Sequence, residues 1–253
     1  IYHQAPSYIW LVGDKVNLEL KNIRVNQFVL GVDQYFSADA LFRVEGFIKD
    51  YFDYPTSLRR TYLIMANTGA GFSGSDENFA SFGLDPLNSD GTGLAKGFEV
   101  SLQKKLSETP YYGILSLTYS EANFIALDKI DRIGSYDQTW IFNISGGYKI
   151  TEEWELATKF RYSTGKPYTP YNSDGSQSVD QINTLRFPVN HSLDVRVDKR
   201  WFFTGWTLIT YIDIQNIYNR KNITGIRWDD RTQSAEFNET IGILPSVGIS
   251  ALF

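Results

Sequence analysis

The chain has 253 residues, no Cys, and 24 Lys and Arg against 29 Asp and Glu, a net charge of −5. That balance argues against nucleic acid as a partner, and the lack of Cys removes disulfides and thiolate metal sites. No apolar run reaches the roughly 18 residues of a helical membrane span, while a mean hydropathy of −0.27 still suits strands that show lipid only every second residue.

Aromatic residues make up 15% of the chain, with 16 Tyr and 17 Phe, which favours strand over helix. Period-two alternation predicts strands over 27–36, 41–54, 95–106, 111–121, 138–150, 154–164, 189–200, 206–218 and 241–253. A further strand around Tyr8–Val12 would raise nine to ten. In the second strand Phe42, Val44 and Ile48 oppose Arg43, Glu45 and Lys49. Next, Phe98, Val100 and Leu102 oppose Glu99, Ser101 and Gln103, and Leu115, Leu117 and Tyr119 oppose Ser116, Thr118 and Ser120. The clearest case sets Trp154, Leu156, Thr158, Phe160 and Tyr162 against Glu155, Ala157, Lys159, Arg161 and Ser163. Further on, Leu193, Val195 and Val197 oppose Asp194, Arg196 and Asp198, and Leu208, Ile212 and Ile214 oppose Tyr211, Asp213 and Gln215. Such strands place aromatics in lipid and charges in a wet lumen.

The connections separate a barrel from a soluble sandwich. Short links near 37–40, 107–110, 151–153 and 201–205 alternate with long ones near 55–94, 122–137, 165–188 and 219–240. Short periplasmic turns alternating with long outer loops are the pattern of an outer-membrane barrel. The long loops are rich in Gly, Asn, Asp and Ser and read as surface segments. Tyr54, Tyr111, Tyr112, Trp140, Tyr148, Trp154, Trp201, Trp206 and Tyr218 fall near strand ends, where interfacial girdles require them. The fold class is therefore an all-β, antiparallel, up-and-down transmembrane barrel, with residues 1–253 as one unit.

The candidate lumen contacts are Arg43, Glu45, Lys49, Glu99, Lys159, Arg161, Arg196 and Asp213. The cations Arg43, Lys49, Lys159, Arg161 and Arg196 touch a substrate or a plug inside the lumen, or they pair with Glu45, Glu99, Glu155 and Asp194 across neighbouring strands. Pairing is the plainer reading, since any wet lumen needs polar walls. Chemistry is sparse. Of the two histidines, His191 stands beside Ser192, but adjacent strand residues point to opposite faces and cannot form a catalytic pair. Zinc spacings are absent. Asp128, Asp131, Asp229 and Asp230 are loop carboxylates for which solvation is the default over an ion site. The Ser-Asp-Gly stretches at 89–91 and 173–175 read as turn chemistry, and the aromatic-rich loop Phe72–Phe82 either grips a ligand or packs on its neighbours. No catalytic, cofactor or metal residue is predicted.

The last strand puts Val247, Ile249, Ala251 and Phe253 on one face and Gly248, Ser250 and Leu252 on the other. Its aromatic end resembles the signal by which the barrel-assembly machinery recognises outer-membrane proteins. Further segments add to this in order. They are Tyr2-His-Gln-Ala-Pro6, Lys96-Gly-Phe-Glu-Val100, Ser163-Thr-Gly-Lys-Pro-Tyr-Thr-Pro170, Arg186-Phe-Pro with Leu193-Asp-Val-Arg-Val-Asp-Lys199, Asp213-Ile-Gln-Asn-Ile-Tyr-Asn219 and Pro245-Ser-Val-Gly248. Together they resemble the C-terminal half of TonB-dependent outer-membrane receptors, with a flavour of the Bacteroidetes kind.

The resemblance implies a barrel of about 22 strands around a plug domain, of which nine or ten strands lie here. It implies outer-membrane lipid, TonB (through a missing N-terminal region) and a small nutrient ligand at the outer loops as partners, with no cofactor. The expected function is uptake of a scarce nutrient (siderophore, cofactor, glycan or peptide) across the outer membrane of a Gram-negative bacterium. A passive porin-like or structural barrel is the alternative, and a barrel hydrolase a distant third. Nine strands would leave the first and last both descending, whereas bacterial single-chain barrels have even counts. The expectation is thus an arc of a wider barrel, with the strand of Phe253 lacking a closing partner within residues 1–253.

Overall fold

The computed structural model describes residues 1–67 and 85–253. Its strands in chain order are β1 (Tyr2–Gln4), β2 (Ile23–Ser37), β3 (Ala40–Ser57), β4 (Leu87–Lys104), β5 (Tyr111–Ile125), β6 (Asp131–Ile133), β7 (Trp140–Lys149) and β8 (Trp154–Ser163). There follow β9 (Pro167–Tyr168), β10 (Leu185–Arg186), β11 (Asn190–Phe203), β12 (Trp206–Gln215), β13 (Ile223–Asp229), β14 (Ser234–Glu239) and β15 (Leu244–Leu252). One sheet runs β1-β2-β3-β4-β5-β7-β8-β11-β12-β15, with β6 added on β5, while β9–β10 and β13–β14 form separate pairs. Every ladder is antiparallel. All nine strands expected from the alternation are present. Among the described residues no ladder joins β15 to β1, so the sheet is an open arc, as expected.

Register explains why this sequence makes a wall with two chemistries. One row across the sheet reads Phe42, Leu102, Leu115, Ile144, Phe160 and Leu193. The row one residue along reads Arg43, Ser101, Ser116, Asn143, Arg161 and Ser192. A slip of one residue in any ladder would put charges in lipid, so each register is strongly specified. Aromatic girdles bound the apolar band. At the end bearing the long loops, Phe98, Tyr119 and Trp140 pack with ring centroids 4.9–6.1 Å apart. At the other end Lys199 lies over Trp154 and Trp201, and Trp206 stacks with Phe203 at 4.5 Å.

The short turns fall where expected, and the two-residue turn between β11 and β12 carries Gly205 at φ +87°. Three expectations are corrected. Tyr8–Val12 is not a strand: Tyr8–Leu11 is a single helical turn. Its residues are apolar on both faces, so nothing suits them to a lipid–lumen wall. Instead Trp10 joins Ile23, Val25, Leu63, Met65 and Leu87 in a small core capping the loop end of the sheet. The fully buried Asn17 staples that core: its amide donates to the Trp10 and Asp85 carbonyls, and its oxygen accepts from the Leu87 N–H. Second, the long connection is not loop from 55 to 94, because β3 runs to Ser57 and β4 starts at Leu87. Third, Ser89-Asp90-Gly91 is therefore strand and not turn. Gly91 is needed there because a Cβ would press on the Tyr54 carbonyl, Ile64 and Thr56. Bulges in β3 around Tyr54, with Asp53 at φ 56°, roll that ring inward against Tyr51 and Phe124. Tyr54 and Tyr112 thus leave the interfacial set, Tyr112 lining the lumen. The stretch Phe72–Phe82 lies outside the described residues.

Candidate functional site

The concave face of the arc carries the polar rows and is the candidate site. Its lining follows one packing rule: an aromatic side chain lies flat over a glycine of the adjacent strand. The Tyr112 ring covers Gly147, the Tyr211 ring covers Gly248, Phe124 covers Gly93 and Phe47 reaches over Gly97. A Cβ at any of these glycines would overlap the ring. The rings therefore lie along the wall and leave the interior open.

Two ion-pair groups hang on these rings. Tyr112 donates its hydroxyl to Glu155, whose other oxygen accepts from Arg200 at 2.7 Å. Arg196 grips Asp198 through two nitrogens, at 2.7 and 2.9 Å, and lies 3.8 Å over the Tyr211 ring. Glu155 and Asp198 are nearly buried, so each needs its cation. Beside them a hollow of about 670 Å³ is lined by Lys159, Asp194, Arg196 and Asp213 among others.

The structure places all eight expected lumen residues on this face, but it redraws their pairing. Arg43 forms a bidentate pair with Asp33, directly opposite on β2, with both bonds at 2.7 Å, and not with Glu45. Glu45 instead stands opposite Glu99, a like charge. Lys49 lies 5.1 Å over the Phe47 ring. Asp194 stands opposite Lys159 yet spends its oxygen on the Asn216 N–H at 2.9 Å. Arg161 and Lys159 have no ion-pair partner among the described residues. Asp213 is in register with Arg196 on one side and Ser246 on the other. Tyr112, Asp198, Arg200, Tyr211 and Asp33 were missed as site residues. Strand parity marked Asp198, Arg200 and Tyr211, which share a strand face with Arg196 or Asp213, whereas Asp33 and Tyr112 lie on strands with no chosen residue and needed the register.

On β15, Val247, Ile249 and Ala251 face outward in register with Ile212, Thr210 and Leu208, and Gly248 faces inward under Tyr211. Phe253 stacks on Trp206 at 6.1 Å, in the lower girdle.

The outer loops interlock. Asn67 accepts from the Ser135 N–H, and the Asn183 amide donates to the Ile133 carbonyl and the Ser135 hydroxyl. Arg186 clamps the Asp137 and Gly165 carbonyls and pairs with the Asp137 carboxylate. Tyr168 stacks on Phe187 at 4.4 Å, and the β13–β14 hairpin adds Phe237 to that pair.

The loop carboxylates are engaged. Burial pushes the Asp128 carboxyl up, but the Arg132 guanidinium and the Ile130 N–H outweigh it and hold it below the usual range. The Arg231 N–H and guanidinium hold Asp229 low, and Asp131 accepts from Asn123. Among the described residues no group of His, Asp and Glu has the geometry of a metal site. His191 faces outward with its Nδ1 2.7 Å from the Tyr218 hydroxyl, and Ser192 faces the lumen in register with Arg161.

No family model and no curated protein sequence matches the chain. Solved structures do. The ferric-catecholate import receptor Fiu from Escherichia coli K12 aligns over 92% of this chain with a TM-score of 0.63 and 12% identity. The FrpB iron transporter from Neisseria meningitidis aligns over 92%, with a TM-score of 0.62 and 14% identity. The ferripyoverdine receptor of the outer membrane of Pseudomonas aeruginosa aligns over 98%, with a TM-score of 0.63 and 10% identity. At such identities the likeness is one of fold: the arc has the fold of part of the β-barrel of TonB-dependent outer-membrane receptors. The chain spans 28%, 32% and 29% of the lengths of these three proteins.

Proposed function

We propose that residues 1–253 are the C-terminal arc of a receptor in the outer membrane of a Gram-negative bacterium, which takes up a scarce small nutrient with energy from TonB. The observation that carries this reading is the open ten-strand antiparallel arc, aligned over most of its length with iron receptors yet spanning under a third of each. In this reading the wall binds and orients and performs no covalent step. Lipid covers the outward face, and the barrel-assembly machinery reads the β15 segment from Val247 to Phe253. The interlocked outer loops meet the ligand, and TonB acts through a plug region preceding residue 1. The ion pairs that leave Asp33, Glu155 and Asp198 each holding a cation support a wall whose role is shape and polarity.

Conductance tests the proposal without knowledge of the ligand. The full-length gene product in planar bilayers is expected to be closed, and removal of the region ahead of residue 1 to open a large, steady conductance. A steadily open full-length protein would overturn the receptor reading in favour of a passive porin.

A further inference from the structure

The outward face carries a groove that crosses the upper girdle. Its lower part, a hollow of about 920 Å³, opens over Gly46 on β3, which stands in one row between Leu30 and Phe98. A Cβ on Gly46 would meet nothing nearer than the Gly97 carbonyl oxygen, at 3.9 Å, so the floor is open. Phe28, Ile48 and Phe98 make the apolar walls. The upper part, a hollow of about 520 Å³, is lined by Asp50, Asn123 and Asp131 among others. Lys96 and Glu121 line both hollows, so the two are continuous. Lys96 stands two residues beyond Phe98. At ~3.3 Å per residue and a tilt of ~40° that is about 5 Å along the membrane normal, the level of the headgroup layer. Asp50, diagonal to Lys96 across the β3–β4 ladder, is two residues further out. The ammonium of Lys96 is exposed and touches Glu121 at 3.5 Å, which leaves it protons to donate. Glu121 also accepts from the Tyr119 hydroxyl. Asp50 has no hydrogen-bond or ion-pair partner among the described residues. Arg24, higher on β2, is held by Asp53 at 3.8 Å and by the Phe52 ring. The upper hollow is thus short of positive charge, with Asp50, Glu121 and Asp131 set against Lys96 alone.

We infer that this groove binds one phosphatidylethanolamine of the outer leaflet, with its acyl chains over Gly46, its phosphate on Lys96 and its ammonium on Asp50. The order of the groups matches. Going outward the groove is apolar, then cationic, then anionic, and in this lipid the phosphate follows the acyl chains and the ammonium lies beyond the phosphate. Charge makes the selection. Phosphatidylglycerol, or a phosphorylated glycolipid without an amine, brings negative charge and no cation to a hollow that already holds Asp50, Glu121 and Asp131. Phosphatidylcholine brings a cation but no N–H, and leaves the Asp50 oxygens without a donor. The site lies on the lipid face, so it goes beyond the receptor reading and stands independently of what the lumen carries.

The test uses purified full-length protein in detergent micelles, with bound lipids counted by native mass spectrometry. The probes are phosphatidylethanolamine, phosphatidylcholine and phosphatidylglycerol with the same acyl chains, and lipid A as the phosphorylated glycolipid. One phosphatidylethanolamine is expected to bind roughly tenfold more tightly than any of the others. Asp50→Asn is expected to bring it level with phosphatidylcholine, and Lys96→Gln to weaken both by roughly fivefold or more. Gly46→Leu, which has room for its Cβ, is expected to abolish the bound lipid by filling the floor. Heat-modifiable migration of each variant shows that it is folded. A wild type without the preference for phosphatidylethanolamine, a folded Asp50→Asn that keeps it, or a folded Lys96→Gln that binds as the wild type does would overturn the site. A protein that is steadily open in bilayers yet shows the preference would lose the receptor reading and retain this one.

Discussion

Phe160→Arg tests which face of the wall meets lipid. Phe160 is in register with Ile144 and Leu193 on the outward face, its ring 6.2 Å from that of Phe142. On the same strand Trp154 marks the lower girdle, and Thr164, whose N–H donates to the Trp140 carbonyl, marks the upper one. At ~3.3 Å per residue and a tilt of ~40°, Trp154 to Thr164 spans about 25 Å along the membrane normal, the height of a barrel's apolar band. Phe160 then lies about 15 Å above Trp154, close to mid-bilayer. Arginine there is expected to cost about 2–4 kcal/mol, roughly 30- to 700-fold in the folding equilibrium. Ala157→Arg is the control, because Ala157 lines the 670 Å³ hollow on the concave face. Its register partner Arg196 repels the new charge, but Asp194 and Asp213 line the same hollow, so the cost is expected to stay below about 1 kcal/mol. Guanidinium titration of the full-length protein in lipid vesicles, followed by Trp fluorescence, measures both. Equal costs, or a larger cost for Ala157→Arg, would refute the assignment of faces.

Gly248→Val drives the Tyr211 ring off its glycine and away from Arg196, at an expected cost of about 1–3 kcal/mol; the Tyr211→Ser background should recover most of it in the same titration. Asp39, in the β2–β3 turn, accepts from Lys104, Ser107 and Ser37, which hold its carboxyl well below the usual range. Its stabilisation is therefore present above about pH 4, the unfolded value, and is lost as pH falls through the lower folded one. Wild type should exceed Asp39→Asn in unfolding midpoint at pH 7, and the gap should narrow steadily below pH 4. Phe253→Asp removes the stack on Trp206 and sets a carboxylate in the lower girdle. Outer-membrane levels of heat-modifiable barrel should fall, with secretion into the periplasm unchanged by fractionation.

The strands were legible because lipid on one side and water on the other impose a strict two-residue period, and the ladders of the main sheet keep that parity except at the ends of β3, where bulges shift the register. Legibility failed beyond the membrane, where no such solvent contrast acts. The upper part of β4 carries Ser89-Asp90-Gly91, turn residues by type, yet the strand continues because Gly91 lets it pass under Tyr54 and Ile64. The short helix at Tyr8–Leu11 is explained by the cap core it completes, a contact between segments distant in sequence. Ion pairing was invisible for a different reason. Which carboxylate an arginine takes depends on register and rotamer: Arg43 reaches across to Asp33, while Arg196 reaches along its own strand to Asp198. The rings over Gly147 and Gly248 likewise needed the register before Tyr112 and Tyr211 had a place.

The bonds from Asn67 to Ser135 and from Ser135 and Ile133 to Asn183 run between three separate outer connections. A connection that lifted alone would strand the buried Asn183 amide and the Ser135 hydroxyl without partners, at about 1–3 kcal/mol for each group. Rising together costs those bonds once and hands all of the groups to water at the same moment. The cap is thus a single cooperative unit for opening. Amide hydrogens at Ser135 and Asn183, on loops 48 residues apart in sequence, should exchange with solvent at one common rate set by the whole cap.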